Sequence, residues 1–140
     1  MKKYMVDGVR CDSHPELLVY RALKKIFPDY RFDKGSPPFL HCSRTGNLLE
    51  YDFYCEELKI AVDYNGIHHY VHNSSEGNWT GQSRQQFIHQ FLRDQDKYDL
   101  SLKNGVYYLV VPYTVPIDHI EIFIRGSFGK FADLVPLMGQ

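Results

Sequence analysis

Two short segments in the middle of the chain, residues 49–55 and 60–64, constrain the fold more than any other part of the sequence. Apolar and polar side chains largely alternate along both, and four residues separate them, which is typical of a β-hairpin. With a turn at residues 56–59, one face of the hairpin is apolar. Its facing pairs are Cys55 with Ile60, Phe53 with Val62, and Tyr51 with Tyr64. A shift of one residue would send apolar side chains to both faces, so the pattern selects this register.

The other face of the predicted hairpin brings two carboxylates together. Asp52 lies directly across from Asp63, and facing side chains in a ladder have Cβ atoms about 5 Å apart. Like charges at that distance repel, so a proton, a nearby cation or a bound metal must offset the repulsion. Mg²⁺ suits such a pair, because one or two carboxylates hold it and water or phosphate completes its shell. The sequence thus predicts a magnesium site at Asp52 and Asp63, with Mn²⁺ as a substitute. The alternative is an aspartate that simply faces solvent.

A first helix is predicted to begin at Ser13. Its hydroxyl caps the helix, Pro15 lies in the first turn, and Glu16 at the third helical position completes a capping box. An apolar stripe follows at four-residue spacing, and Pro28 ends the helix. Glu16 therefore has a structural explanation of its own, and a second role at the metal site stays open.

The second half of the chain predicts a helix, a strand and a helix. Residues 82–104 form the first of these, with a buried stripe consisting of Phe87, Phe91, Tyr98 and Leu102. The apolar run at residues 106–111 predicts a strand buried on both faces. Residues 116–125 predict a last helix, with Ile117, Ile120 and Ile124 facing inward and Gly126 as its cap. This order gives an α/β fold in which helices cover a central mixed sheet.

Composition limits the class of protein. A chain of 140 residues with 44% hydrophobic residues fits one domain, residues 1–140, whose core spans about residues 13–126. No apolar run reaches the length of a membrane span, and no signal-peptide core follows the first residues. We therefore expect an intracellular protein of the cytoplasm or nucleus, not a secreted one. The three cysteines form no CxxC motif, which disfavours a disulfide framework, and a zinc site is weakly supported.

The polar residues around the hairpin resemble a known nuclease family. Asp52 and the run Asp63-Tyr64-Asn65-Gly66-Ile67-His68-His69-Tyr70 resemble the core of the Vsr-type mismatch endonucleases and the EDxHD homing endonucleases, a branch of the PD-(D/E)xK fold. The resemblance covers roughly residues 13–112. The matching positions are Glu16, Asp52, Asp63, His69 and Asp94. It implies a restriction-endonuclease-like three-layer αβα fold with a central mixed sheet, and Mg²⁺-dependent hydrolysis of DNA phosphodiesters.

The resemblance also implies a role for each site residue. Asp52 and Asp63 would hold the metal, and His69 would act as general base, with His68 as the rival assignment. Asp94 would orient His69. Lys97 would contact phosphate and partly compensate for Asn65, which stands where standard PD-(D/E)xK nucleases carry lysine.

Three further interpretations stay open at this point. The chain is a nucleic-acid- or metal-binding module of the same fold that has lost catalysis, or a junction-resolving nuclease that prefers branched DNA, or a phosphotransfer or signalling domain with an acidic metal pocket, which the absence of a P-loop disfavours. A monomer and a homodimer both fit the sequence. With 16 Lys and Arg against 17 Asp and Glu, attraction to DNA requires a local basic patch. Arg31, Lys34 and Arg44 are candidates for lining such a groove. Trp79 is predicted either to stack on a base or to anchor the core.

Overall fold

The fold is described here from a computed structural model for residues 3–67 and 84–129. In chain order the elements are β1 (Tyr4–Val6), β2 (Val9–Cys11), α1 (His14–Ile26), β3 (Asp33–Gly35), β4 (Tyr51–Cys55), β5 (Ile60–Asn65), α2 (Arg84–Lys103), β6 (Tyr107–Pro112), a 3-10 turn (Ile117–His119) and α3 (Ile120–Phe128). The predicted α/β class is confirmed.

A four-stranded sheet forms the centre of the described fold, in the order β3-β4-β5-β6. The pairs β3–β4 and β4–β5 are antiparallel, whereas β5 and β6 are parallel because α2 connects them. The sheet is therefore mixed, as predicted. The hairpin register is also confirmed, since Phe53 pairs with Val62 and Cys55 with Ile60.

A bulge in β4 changes the face on which Tyr51 lies. Asp33 pairs with Tyr54 and Gly35 with Tyr51, so β4 advances three residues while β3 advances two. Tyr51 consequently packs beside Tyr54, with ring centroids 5.2 Å apart, and its hydroxyl bonds to Ser101 of α2. The prediction that Tyr51 shares the apolar face with Phe53 is wrong, because strand alternation does not survive an inserted residue.

Helices cover both faces of the sheet. On one face, α1 and α3 bury an apolar core against Phe53 and Val62, and Val19, Leu23 and Ile124 are fully buried there. On the other face, α2 lies over a second cluster made of Leu40, Cys42, Leu49, Tyr51, Ala61 and Val106. The central strands are thus buried from both sides.

The predicted capping box at the start of α1 is present with a small change. The Ser13 hydroxyl accepts a hydrogen bond from the Glu16 N–H at 3.3 Å. The Glu16 carboxylate reaches back to the N–H of Asp12, at 3.2 Å, instead of that of Ser13. Glu16 is therefore fixed at the first turn of α1.

The predicted buried stripe of α2 is wrong. Phe91, Tyr98 and Leu102 are 56%, 56% and 71% exposed, and in the described helix only Ser101 is buried. The helix meets the sheet through Lys97, Leu100 and Ser101 instead. An apolar stripe need not face the core when a polar site occupies the facing sheet.

The last two elements also depart from their predictions. Strand β6 lies at the edge of the sheet, and Tyr107 is half exposed, so this strand is not buried on both faces. Helix α3 runs through Gly126 and ends at Phe128, and Ile117 is exposed in the preceding turn. Within the described ranges, no helix has the combination of length and apolarity that crossing a bilayer requires.

Candidate functional site

Asp52 and Asp63 meet where the β4–β5 ladder ends. The Asp63 carboxylate accepts a hydrogen bond from the backbone N–H of Asp52 at 2.8 Å. In return, the Asp52 carboxylate accepts one from the N–H of Tyr64 at 2.9 Å. Each side chain thus takes the place of a carbonyl in the neighbouring strand's ladder. The two acids are held side by side between the strands, as the sequence predicted.

Asp63 is the buried member of the pair, with 2% of its surface exposed. Besides the Asp52 N–H, it accepts hydrogen bonds from the Lys97 ammonium at 2.7 Å and the Tyr108 hydroxyl at 2.6 Å. Charge-assisted bonds of this length are strong ones. Lys97 therefore reaches the carboxylate pair from α2, and the Asp63 side chain is fixed from three directions.

Lys34 approaches the same pair from β3, on the side of α1. Its ammonium lies 3.4 Å from both Asp12 and Glu16, and 4.0 Å from Asp52. Only 10% of the Lys34 side chain is exposed. This lysine is thus a bridge between the first turn of α1 and the site, and not the groove-lining residue that the sequence suggested. Arg31, placed in the same groove, pairs with Asp33 at 3.0 Å.

Burial and crowding of negative charge raise the pKa of Asp52. Burial is the largest cause, Asp63 and Glu16 add to it, and the Tyr64 N–H and Lys97 oppose it. Burial lowers the pKa of Lys34, but Glu16, Asp52 and Asp12 outweigh it and hold that pKa above its ordinary value. The site therefore carries a surplus of negative charge that its own cations do not fully balance.

Asp94 lies next to this centre on α2. It accepts a hydrogen bond from the Gln90 amide at 3.0 Å. Together with the buried Asn65 and with Tyr108, it lines a cavity of about 350 Å³. Because Tyr108 donates to Asp63, the cavity opens beside the carboxylate pair. The structure therefore brings Asp94 to the same region as the paired acids.

The remaining predicted site residue, His69, lies outside the described residues, as do His68 and Trp79. Across residues 3–67 and 84–129, no three His, Cys, Asp or Glu side chains come together as a metal-binding group. The donors that do converge are two carboxylates. Carboxylate oxygens fit Mg²⁺, which keeps several waters, better than zinc, which prefers four nitrogen or sulfur ligands.

Sequence reasoning missed Tyr108 in this arrangement, and it assigned Lys34 to a DNA groove and not to the carboxylate pair. A signal for Tyr108 was present, since a tyrosine inside an otherwise apolar strand needs a partner for its hydroxyl. Lys34 carried no such signal, because its neighbours in space come from distant parts of the chain.

The chain is similar to several viral proteins. It shares 30% identity over 129 residues with uncharacterized protein 033L of Invertebrate iridescent virus 3, which covers 92% of the chain and 64% of the viral protein. It shares 38% identity over 95 residues with uncharacterized protein 094L of Frog virus 3. That match covers 68% of the chain and 58% of the viral protein. The chain thus spans less than two thirds of the length of either relative. No family model and no solved structure matches it.

Proposed function

We propose that this chain is a Mg²⁺-dependent DNA endonuclease with a restriction-endonuclease-like three-layer αβα fold of the Vsr-like branch. One observation carries the proposal: Asp52 and Asp63 are locked side by side by reciprocal hydrogen bonds, with a lysine on the buried member. Two neighbouring acids whose charge is not fully balanced lower the stability of the folded chain. Such groups cluster where a protein performs chemistry.

Asp52 and Asp63 are the residues that would hold the metal. When bound there, Mg²⁺ supplies polarisation of a phosphoryl oxygen and activation of a water molecule. The raised pKa of Asp52 supports a site for a cation, because a positive ion offsets the repulsion that raises it. The hydrogen bonds of both aspartates to backbone N–H groups fix their orientation without using all of their oxygen lone pairs.

Lys97 would supply the positive charge that the standard family places at the position of Asn65. From α2 its ammonium sits 2.7 Å from Asp63, and three donor hydrogens leave it able to contact a phosphate as well. Tyr108 holds the second side of the same carboxylate oxygen. Asp94 remains the proposed orienting residue for His69, the proposed general base.

A second candidate function is an inactive nucleic-acid-binding module of the same fold. The Lys97–Asp63 ion pair favours it, because it already neutralises the buried carboxylate without any metal. In that case Lys97 is a structural substitute for the ion. The nuclease requires Mg²⁺ to bind at the two carboxylates, whereas the binding module does not.

Cleavage of supercoiled plasmid DNA tests the proposal. We expect the wild-type chain to relax or linearise the plasmid with Mg²⁺ and to do neither in EDTA. Asp63→Asn, purified in the same way, is the control for contaminating nucleases and is expected to be inactive. Equal cleavage by the two proteins, or none by either under any divalent metal, would reject the enzyme and leave the binding module.

The same assay distinguishes the substrate classes. A four-way junction and a linear duplex of matched sequence are offered to the wild-type chain. Preference for the branched substrate would assign the junction-resolving alternative, and equal cleavage would assign a nuclease of linear DNA.

A further inference from the structure

A second cavity lies on the other side of α2 from Asn65 and Asp94. It has a volume of about 230 Å³, and three of its lining side chains, Arg44, His89 and Arg93, are cationic or able to become so. Arg44 comes from the segment between β3 and β4, and the other two come from α2. Nothing in the proposed catalytic arrangement uses this cavity.

The wall of the cavity that carries Arg44 is a short hairpin closed by its own backbone hydrogen bonds. The N–H of Cys42 donates to the Asn47 carbonyl, and the N–H of Gly46 donates to the Cys42 carbonyl, both at 2.8 Å. Gly46 has a φ of +76°, which favours glycine. The buried Cys42 and Leu49 anchor the hairpin in the second core cluster. Arg44 is therefore displayed from a rigid turn.

Asp96 fastens this hairpin to α2. Its carboxylate accepts hydrogen bonds from the backbone N–H of Ser43 at 3.0 Å and from the Ser43 hydroxyl at 3.0 and 3.1 Å. The cavity thus lies between two elements whose separation is fixed. Arg44 of the hairpin and Arg93 of the helix are both held around it.

The cavity connects to the candidate site along α2. His89, Arg93 and Lys97 follow at four-residue spacing, so they lie on one stripe, about 6 Å apart along the axis. Arg93 also donates to Gln90 at 3.1 Å, and Gln90 donates to Asp94 at 3.0 Å. A row of positive charge therefore runs from the cavity to the carboxylate pair.

Six other cations of the described residues are engaged in ion pairs. The ones so engaged are Arg10, Lys25, Arg31, Lys34, Lys97 and Arg125. Within residues 3–67 and 84–129, no carboxylate forms such a pair with Arg44 or Arg93. Two arginines around one cavity, neither of them in an ion pair within the described residues, fit an external anion with several oxygens.

We propose that the cavity between Arg44 and Arg93 binds a backbone phosphate of the DNA strand whose scissile phosphate lies at Asp52 and Asp63. This inference rests on the proposed nuclease function and names where the substrate strand is held. His89 adds a third donor to the same phosphate or its neighbour. A local site of this kind also explains how a chain with a net charge of −1 attracts DNA.

Binding in EDTA tests this inference without any cleavage. A short fluorescein-labelled duplex is titrated with the full chain at several salt concentrations, and anisotropy gives the Kd. For duplex DNA, log K falls with log salt by about 0.9 for each phosphate neutralised. We expect Arg44→Gln with Arg93→Gln to reduce that slope by about one for each arginine that contacts phosphate, and to weaken binding.

The control removes the same charge elsewhere. Lys24→Gln with Lys103→Gln changes two exposed lysines away from the cavity and is expected to leave the slope close to wild type. If the double arginine variant fails to fold, Arg44→Glu on the exposed hairpin replaces it and is expected to weaken binding further. Equal slopes for the arginine and lysine variants would overturn the inference.

The test of the phosphate cavity can fail independently of the test of the proposed nuclease function. A chain that cleaves plasmid while its arginine and lysine variants bind alike keeps the nuclease and loses the phosphate cavity. A chain that never cleaves, but whose salt slope falls only in the arginine variant, keeps the cavity and loses the nuclease.

Discussion

The ammonium of Lys97 on α2 lies 2.7 Å from the carboxylate of Asp63 on β5, and so places a positive charge against the buried half of an acidic pair. Among the described residues, the ion-pair partner of the other half, Asp52, is the more distant Lys34 at 4.0 Å. The two acids are therefore unequal. Asp63 is compensated inside the chain, whereas Asp52 carries the uncompensated charge that a bound cation would offset. This inequality leads to separate predictions for each residue.

Asp52→Asn is expected to stabilise the metal-free chain. Burial, Asp63 and Glu16 raise the pKa of Asp52 above its unfolded value of about 3.9, so the folded state holds this proton more tightly. The stabilisation that protonation of Asp52 gives the folded state is present below the unfolded pKa. It is lost as pH rises toward the folded pKa. Asparagine does not titrate and still accepts the Tyr64 N–H bond.

The gain is expected to reach about 1–2 kcal/mol in mildly alkaline buffer and to vanish in acid. Thermal unfolding of both proteins across pH measures it. With Mg²⁺ added, the wild type alone should gain stability through binding. A variant that is destabilised equally at every pH would show that Asp52 is an ordinary structural carboxylate.

Lys97→Met is expected to move the pH dependence of cleavage upward. Lys97 opposes the rise in the pKa of Asp52, so its removal raises that pKa further and moves ionisation of Asp52 to higher pH. We expect cleavage to fall about 10- to 100-fold near neutral pH, and the acid limb of the pH profile to shift to higher pH. Rates measured at several pH values check this. A uniform loss with no shift of the limb would contradict the electrostatic role.

Tyr108→Phe removes the second hydrogen bond to the Asp63 oxygen. We expect a loss of about 10-fold in cleavage and of about 1 kcal/mol in stability, because the hydroxyl orients a metal-site carboxylate. Tyr107→Phe, its exposed neighbour, loses a bond to the Ser127 carbonyl and serves as the matched control. Equal activities of the two variants would show that Tyr108 does not position Asp63.

A double-mutant cycle measures the bridge between Lys34 and Glu16. Because the Lys34 side chain is only 10% exposed, we expect a coupling energy of about 0.5–3 kcal/mol between Lys34→Met and Glu16→Gln. The exposed pair Lys25–Glu121, at 3.0 Å, is the control and should couple more weakly, because solvent screens it. Chemical denaturation of the wild type and the six variants supplies the seven free energies of unfolding. Similar coupling energies in the two cycles would show that burial of Lys34 does not strengthen its interaction with Glu16.

The local parts of the fold could be predicted from the sequence. The capping box at Ser13 and Glu16 and the pairing of Phe53 with Val62 depend on neighbours in the chain or on strand alternation, and both were found. The Asp7-Gly8 turn was also readable and was missed. Asp-Gly is a strong hairpin signal, and both residues have positive φ between β1 and β2.

The long-range parts could not be predicted. The exposure of Phe91 and Tyr98 depends on which face of α2 meets the sheet, and Ser101 and Lys97 decide that through partners on β4 and β5. Periodicity alone marks an apolar stripe but not what lies opposite it. The meeting of Lys34 with Glu16 and Asp52 likewise follows from tertiary packing, which no local pattern reports.

Anomalous diffraction from crystals soaked with Mn²⁺ shows whether a divalent metal binds at the carboxylate pair. We expect one peak in contact with an oxygen of Asp52 and an oxygen of Asp63, at about the 2.1 Å typical of Mg²⁺ sites. The same soak of Asp52→Asn should lose the peak. Wild-type crystals with no peak between these carboxylates, and with Lys97 still bound to Asp63, would show that the pair is not a metal site.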